Sequence, residues 1–234
     1  MAIHTRRGFV PDDARDFSEK NQLVLREALK DIAYLVNRGY SLERAVTFIS
    51  NSFSFTARQR LALQRSCASD REIACRKDKE IRDVTGETVY IDAFNIIISL
   101  EIALSGSLLL LCMDGTIRDL AGLHGTYRMI DKTLPALNLI FGKLADLKAA
   151  RAVFYIDAPI SNSGNLSKCI KDLSGNFPVI TECHVINSPD KALYDKTRAV
   201  TSDSIILNHC ESWINLARTI IEETFPGYPL VVLN

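Results

Sequence analysis

Two hydrophobic periods divide the chain. Up to about residue 75 the apolar positions recur at helical spacing: Leu25, Ala28, Leu29, Ile32 and Leu35 share one face, and Leu42, Ala45, Val46 and Ile49 share another. Pro11-Asp12-Asp13 predicts the first helix start, with acids at its positive end. Asn37-Arg38-Gly39-Tyr40 predicts its stop, with Gly39 in the left-handed cap position. Ser41 opens a second helix. Thr56 caps a third, which runs to Cys67 and carries Arg58, Arg60 and Arg65 beside Gln59 and Gln64. The stretch 69–86 alternates in charge and predicts an exposed helix or linker, with a domain boundary near residue 80.

Beyond Glu87 short β-branched runs alternate with helical ones. Val89, Tyr90 and Ile91 read as a buried strand, followed by an apolar helix over 94–104. The runs 108–113 and 116–120 flank Asp114-Gly115, which predicts a type I′ hairpin. A helix over 131–149 carries Leu134, Leu137, Ile140, Phe141 and Leu144 on one side. Strands follow at 151–156, 179–185, 198–201 and 229–233, separated by a helix after Gly164, a short one opened by Ser188-Pro189-Asp190, and a long one over 204–224 holding Trp213. This alternation predicts an α/β fold: a mainly parallel sheet with helices on both faces, and a hairpin insertion near 107–121. Residues 1–80 form a small all-α domain compatible with a helix-turn-helix-like unit, and 81–234 the α/β domain. The plainer expectation for 1–80 is a three-helix bundle whose arginines are solvated.

Composition narrows the classes. Of 234 residues 47% are apolar and 24% charged, as in ordinary globular proteins. Twenty-eight basic residues balance 28 acidic ones, which excludes a globally basic nucleic-acid coat but not a local patch. No apolar run approaches a membrane span and the first residues lack a secretory core, so a cytoplasmic protein with no membrane partner is expected. The six cysteines form no CxxC pair and read as reduced thiols, mostly buried. No GxxxxGK[ST], GxGxxG or HExxH pattern supports an ATP, dinucleotide or zinc-protease site.

Four aspartates stand at equivalent places. Asp92 and Asp157 each follow an apolar strand directly. Asp203 lies just past the 198–201 strand, and Asp190 stands two residues past Ser188 with Pro189 between them. All strands of a parallel sheet end on one edge, so the four carboxylates can converge there. Clustered carboxylates repel one another, and Mg²⁺ or Mn²⁺, hard cations with oxygen ligands, would relieve that charge. Each aspartate also has a plainer role available, as a helix cap or a turn residue.

The order of these motifs resembles PIN-like nucleases of the NYN type. Asp92 in YIDAFN, Asp157 in FYIDAP, Asp190 in SPDKAL and Asp203 in TSDSIIL match that family's acids in order, over residues 87 to about 215. One departure is that many PIN domains carry the second acid as a helix-borne Glu, where Asp157 follows the NYN arrangement. The whole chain is also similar to a mostly archaeal two-domain family, itself uncharacterised, that joins a helical domain holding Arg-Gly-Tyr, here Arg38-Gly39-Tyr40, to a PIN-like domain. The resemblance implies an Asp-cluster metal site with Mg²⁺ or Mn²⁺ and endonucleolytic hydrolysis of RNA. The alternatives are a catalytically silent RNA-binding or RNA-processing accessory protein, and a helix-turn-helix DNA-binding regulator, which would require a homodimer. Secondary substrate candidates are Asn95 and the polar turn Ser161, Asn162 and Ser163, which suits an anion. Arg118, Asp119, His124, Tyr127 and Arg128 in the insertion complete the set.

Overall fold

The computed structural model describes residues 5–122 and 125–234; His124 lies outside the described residues. In chain order the elements are α1 (Asp13–Asp16), α2 (Glu19–Asn37), α3 (Leu42–Ser52), α4 (Ala57–Ser66), α5 (Asp70–Lys79), β1 (Thr88–Asp92), α6 (Ala93–Leu104), β2 (Leu109–Leu111), β3 (Ile117–Asp119) and α7 (Thr133–Asp146). There follow β4 (Arg151–Asp157), α8 (Ser163–Ser174), β5 (Ile180–Ile186), α9 (Pro189–Leu193), β6 (Ala199–Val200), α10 (Ser204–His209), β7 (Trp213–Ile214), α11 (Leu216–Thr224) and β8 (Val231–Val232).

The fold is α/β. Five strands pair in parallel in the order β5-β4-β1-β6-β7, flanked by helices. From β1 the chain builds outward through β4 to β5, then returns to the other side of β1 for β6 and β7. The order therefore reverses between β1 and β6, the place where open α/β sheets bind ligands. Helix α6 directly follows β1 and is buried over most of its length, with Ile96, Ile97, Leu100 and Ile102 fully enclosed.

Several elements differ from the pattern reading. The long helix expected over 204–224 is broken, and Trp213 lies on β7, the fifth strand of the sheet. Its indole N–H donates to the carbonyl of Arg76 at 2.6 Å, so the ring is both buried and satisfied. The hairpin turn is not type I′, which needs two central residues at positive φ. Only Gly115 has one, at 78°, and the Cys112 N–H donates to the Thr116 carbonyl across a three-residue loop, the type I turn with a left-handed glycine. The hairpin does not join the main sheet. It forms its own three-stranded sheet, β3-β2-β8. Along β2 successive residues point to opposite faces: Leu109 enters the α/β core, while Leu110 enters the helical core with Leu25, Ile32, Leu63 and Val231. That small sheet is thus the layer between the helical bundle and α6, which lies against the main sheet.

The charged stretch after the bundle is an ordered helix, α5, started by a capping box between Ser69 and Glu72. Arg76 on it is 2% exposed. The arginines of α4, the candidate nucleic-acid face, have partners within the protein. Arg58 forms an ion pair with Asp13 and donates to the carbonyls of Leu120 and Gly8; Arg60 donates to Asn51 and the Phe55 carbonyl; Arg65 pairs with Asp119. Arg58 and Arg65 tie α4 to the end of the hairpin, and Arg60 ties it within the bundle. All six cysteines are free; Cys67, Cys112 and Cys210 are buried and Cys75 is exposed. Among the described residues no helix is long and apolar enough to cross a membrane.

Candidate functional site

The carboxyl ends of β1, β4 and β6 open into a cleft of about 600 Å³, and Asp92, Asp157, Asp190 and Asp203 all line it. Its opposite wall comes from the helical bundle, through Val36, Leu42, Leu61, Gln64 and Arg65. The sheet edge supplies the acids because each strand must end there, and the polar residue that ends a strand is the one the core does not take in.

Asp92 is the last residue of β1 and the N-cap of α6, accepting from the Asn95 N–H at 3.5 Å. Its other oxygen accepts from the Thr201 hydroxyl at 3.0 Å. That hydroxyl in turn accepts from the Asp203 N–H at 3.0 Å. Asn95 accepts through one oxygen from both the N–H and the hydroxyl of Ser202, at 2.8 and 3.0 Å. The exits of β1 and β6 are therefore laced together across the point of strand reversal. Asp203 caps α10, with Oδ1 taking the N–H groups of Ile205 and Ile206. Asp157 ends β4 and Asp190 sits on the first turn of α9; neither carboxyl receives a hydrogen bond from the described residues.

Carboxylates crowd one another here, although Arg118 stands near enough to Asp203 to feel its charge. Asp92 keeps a little surface in the cleft, but protein crowds its carboxyl. That burial, opposed by the Thr201 bond and reinforced by Asp190 and Asp203, raises it from 3.8 to about 7. Asp190 is raised by burial and then by Asp203 and Asp157. Asp157 is raised by burial. Their mutual repulsion links all four acids in one electrostatic cluster.

The expected substrate contacts divide. Asn95 and Arg118 line the cleft beside the acids. Arg118 is not free for substrate, however. Its guanidinium donates to the Ser202 carbonyl at 2.7 Å, to the Arg65 carbonyl at 2.7 Å and to Asp114 at 2.5 Å. Asp114, fully enclosed, also pairs with Arg76 at 2.6 Å. Asp119 lines the cleft but is held by Arg65 and the Ala121 N–H. Arg128, Ser161, Asn162 and Ser163 do not line the cleft. Ser161 exchanges hydrogen bonds with the Tyr127 backbone, Asn162 donates to the Tyr127 carbonyl at 2.8 Å, and Ser163 bonds the Ala158 carbonyl. Tyr127 itself is buried, its hydroxyl on Glu101, which Arg7 neutralises. This turn docks the 125–130 segment rather than presenting an anion site. The residues that sequence reasoning missed are Thr201, whose hydroxyl joins two of the acids, and the helical wall of the cleft. The Thr-x-Asp spacing carried a signal for the first; nothing local carried one for the second.

As donors for a cation the four acids fit in kind, being oxygen-only and mutually repulsive. Among the described residues no three His, Cys, Asp or Glu side chains close on a point that could hold an ion. Mg²⁺ needs no such cage, since it takes one or two carboxylates and keeps several waters.

Fold and cleft define an α/β protein with an acid-lined crevice at its topological switch point. Residues 81–219 match the family described as "Domain of unknown function (DUF5616)", and 24–79 that described as "Protein of unknown function (DUF434)". The chain belongs to the DUF5616 family. It is 35% identical over 187 residues to "Uncharacterized protein MJ0935" of Methanocaldococcus jannaschii, a match covering 79% of this chain and 89% of that one. No solved structure matches the chain.

Proposed function

We propose that the protein is a PIN-like, metal-dependent endoribonuclease. The observation that carries the reading is the sharing of one cleft by Asp92, Asp157, Asp190 and Asp203, with Asp92 and Asp190 held high by burial and by neighbouring carboxylates of the same cluster. These acids would hold Mg²⁺ or Mn²⁺, which when bound supplies charge neutralisation for a phosphate and a more acidic water. The chain's own residues set the stage for hydrolysis. Thr201 holds the Asp92 carboxyl, Asn95 fixes the exit of β6, and Asp203 is oriented by its own helix cap. The helical wall closes the side of the cleft away from the sheet and limits what enters.

One observation favours the second reading, a catalytically silent RNA-binding protein: no three acids close on an ion-holding point among the described residues. Single-stranded RNA incubated with the protein and Mn²⁺, with and without chelator, separates the two. The nuclease reading predicts cleavage that chelator stops. Binding without cleavage, or cleavage indifferent to chelator, contradicts it.

A further inference from the structure

The two edges of the main sheet are built differently. At one end the edge strand β7 is two residues long, and the chain bridges to it, Glu80 against Trp213. At the other end β5 runs for seven residues, as long as β4, and among the described residues it pairs with β4 alone. Its sequence, Ile180-Thr181-Glu182-Cys183-His184-Val185-Ile186, holds neither Pro nor Lys, residues that commonly blunt an edge. Ile180 stays 60% exposed and Val185 39%.

The register of β5 defines its open groups. Ile180 donates its N–H to the Ala150 carbonyl, and the Ile186 carbonyl accepts from the Ala158 N–H. The even-numbered residues thus turn their backbone groups to β4, while Thr181, Cys183 and Val185 turn theirs outward. No hydrogen bond from another element among the described residues meets these outward groups. An antiparallel strand docks there when its own outward residues stand opposite them. β5 is such a strand for itself. With the Cys183 residues of two copies opposite each other, Thr181 of each copy faces Val185 of the other, and every outward residue forms a hydrogen-bonded pair. The alternate positions match as well: Ile180 meets Ile186 and Glu182 meets His184, each pair formed twice. Glu182 and His184 stand half-exposed on one face of the strand. Sliding the copies by two residues sets Glu182 against Glu182 or His184 against His184. It also leaves Val185 or Thr181 beyond the partner strand, so both charge and hydrogen bonding select the register centred on Cys183.

We propose that β5 is the interface of a homodimer, in which two copies pair antiparallel about a two-fold axis between their Cys183 residues and join their five-stranded sheets into one. Antiparallel strands end on opposite sides, so the two acid-lined clefts open in opposite directions. The pairing is independent of what the cleft does.

Sedimentation velocity of the full chain across a concentration series reads the association, and amide hydrogen exchange locates it. The parent should dimerise, with the amides of Thr181, Cys183 and Val185 protected in the dimer and exposed on dilution. Val185→Pro removes an outward N–H and leaves the bonds to β4 in place, so it should abolish the dimer over the range in which the parent forms it. His184→Glu sets a glutamate against Glu182 twice and should weaken association about tenfold. The double variant Glu182→His/His184→Glu again sets a histidine against each glutamate and should regain the parental dimer, a rescue that damage to the fold would not allow. A parent that stays monomeric, or a dimer whose three amides exchange freely, overturns the proposal. So does a dimer that survives both Val185→Pro and His184→Glu, or a double variant that associates no better than His184→Glu alone.

Discussion

The hydroxyl of Thr201 donates to the carboxylate of Asp92 at 3.0 Å, joining the end of β6 to the end of β1 where the strand order reverses. The same oxygen accepts the N–H of Asp203. One side chain thereby sets the spacing of two acids that lie 111 positions apart in sequence, at 92 and 203. Its bond is also one of the forces that lower Asp92 against burial and repulsion.

Thr201→Val keeps the shape and removes that bond. The Asp92 carboxyl should then titrate above its already raised value of about 7. The fold should lose only about 1 kcal/mol. A carbon-detected NMR titration of the Asp92 carboxyl reads the first effect and urea unfolding the second. An unmoved Asp92 would show that the contact carries no electrostatic weight.

Stability should fall as pH rises. Asp92 is raised from 3.8 to about 7 in the fold, so the folded protein binds more protons than the unfolded chain between those values. The stability this confers is fully present below about 3.8 and is lost as pH climbs through about 7. Asp157 and Asp190, also raised, act in the same direction. Melting temperatures of metal-free protein should drop from pH 5 to pH 8, and Asp92→Asn should flatten that drop. A variant whose pH profile parallels the parent's would contradict the assignment.

Asp114 holds two buried arginines, Arg76 and Arg118. Asp114→Ala leaves both without their shared carboxylate, and the cost should be about 3 kcal/mol. Urea unfolding measures it. A loss under about 1 kcal/mol would mean that the hairpin tip relaxes enough to solvate them.

Arg58 is a strut to Asp13, Leu120 and Gly8. Arg58→Ala should cost about 2 kcal/mol and, where the proposed RNA binding is measured, leave its salt dependence unchanged. A reduced salt slope at parental stability would return α4 to the role of a nucleic-acid contact.

What could be read from sequence was what is local. The alternation of β-branched runs and helical faces gives the parallel sheet, and the carboxylates at or just past the ends of β1, β4 and β6 give the shared edge. The strand at Trp213 was hidden because apolar residues continue through Ile206, Leu207, Ile214 and Leu216 at spacings a helix also allows. The arginines of α4 looked solvated because their partners stand far off in sequence: Asp13 is 45 residues from Arg58, and Asp119 is 54 from Arg65. The middle position of the hairpin follows from Leu109 and Leu110 being apolar on both faces, a pattern that by itself also fits a buried strand of the main sheet. The helical wall of the cleft arises only when the two halves pack.

The most direct measurement compares the parent with Asp92→Asn in Mn²⁺-dependent cleavage of single-stranded RNA, beside thermal melts of both metal-free proteins. Asparagine keeps the size and removes a charge that its neighbours repel and that, on the proposed reading, would help hold a cation. The account predicts that cleavage falls by at least about a hundredfold while the fold gains on the order of 1 kcal/mol. A plain helix cap would show almost no change in stability, because asparagine caps a helix about as well as aspartate. Cleavage by the variant at the parental rate, or a lowered melting temperature beside a parent that cleaves nothing, would contradict the claim that Asp92 serves a nuclease centre.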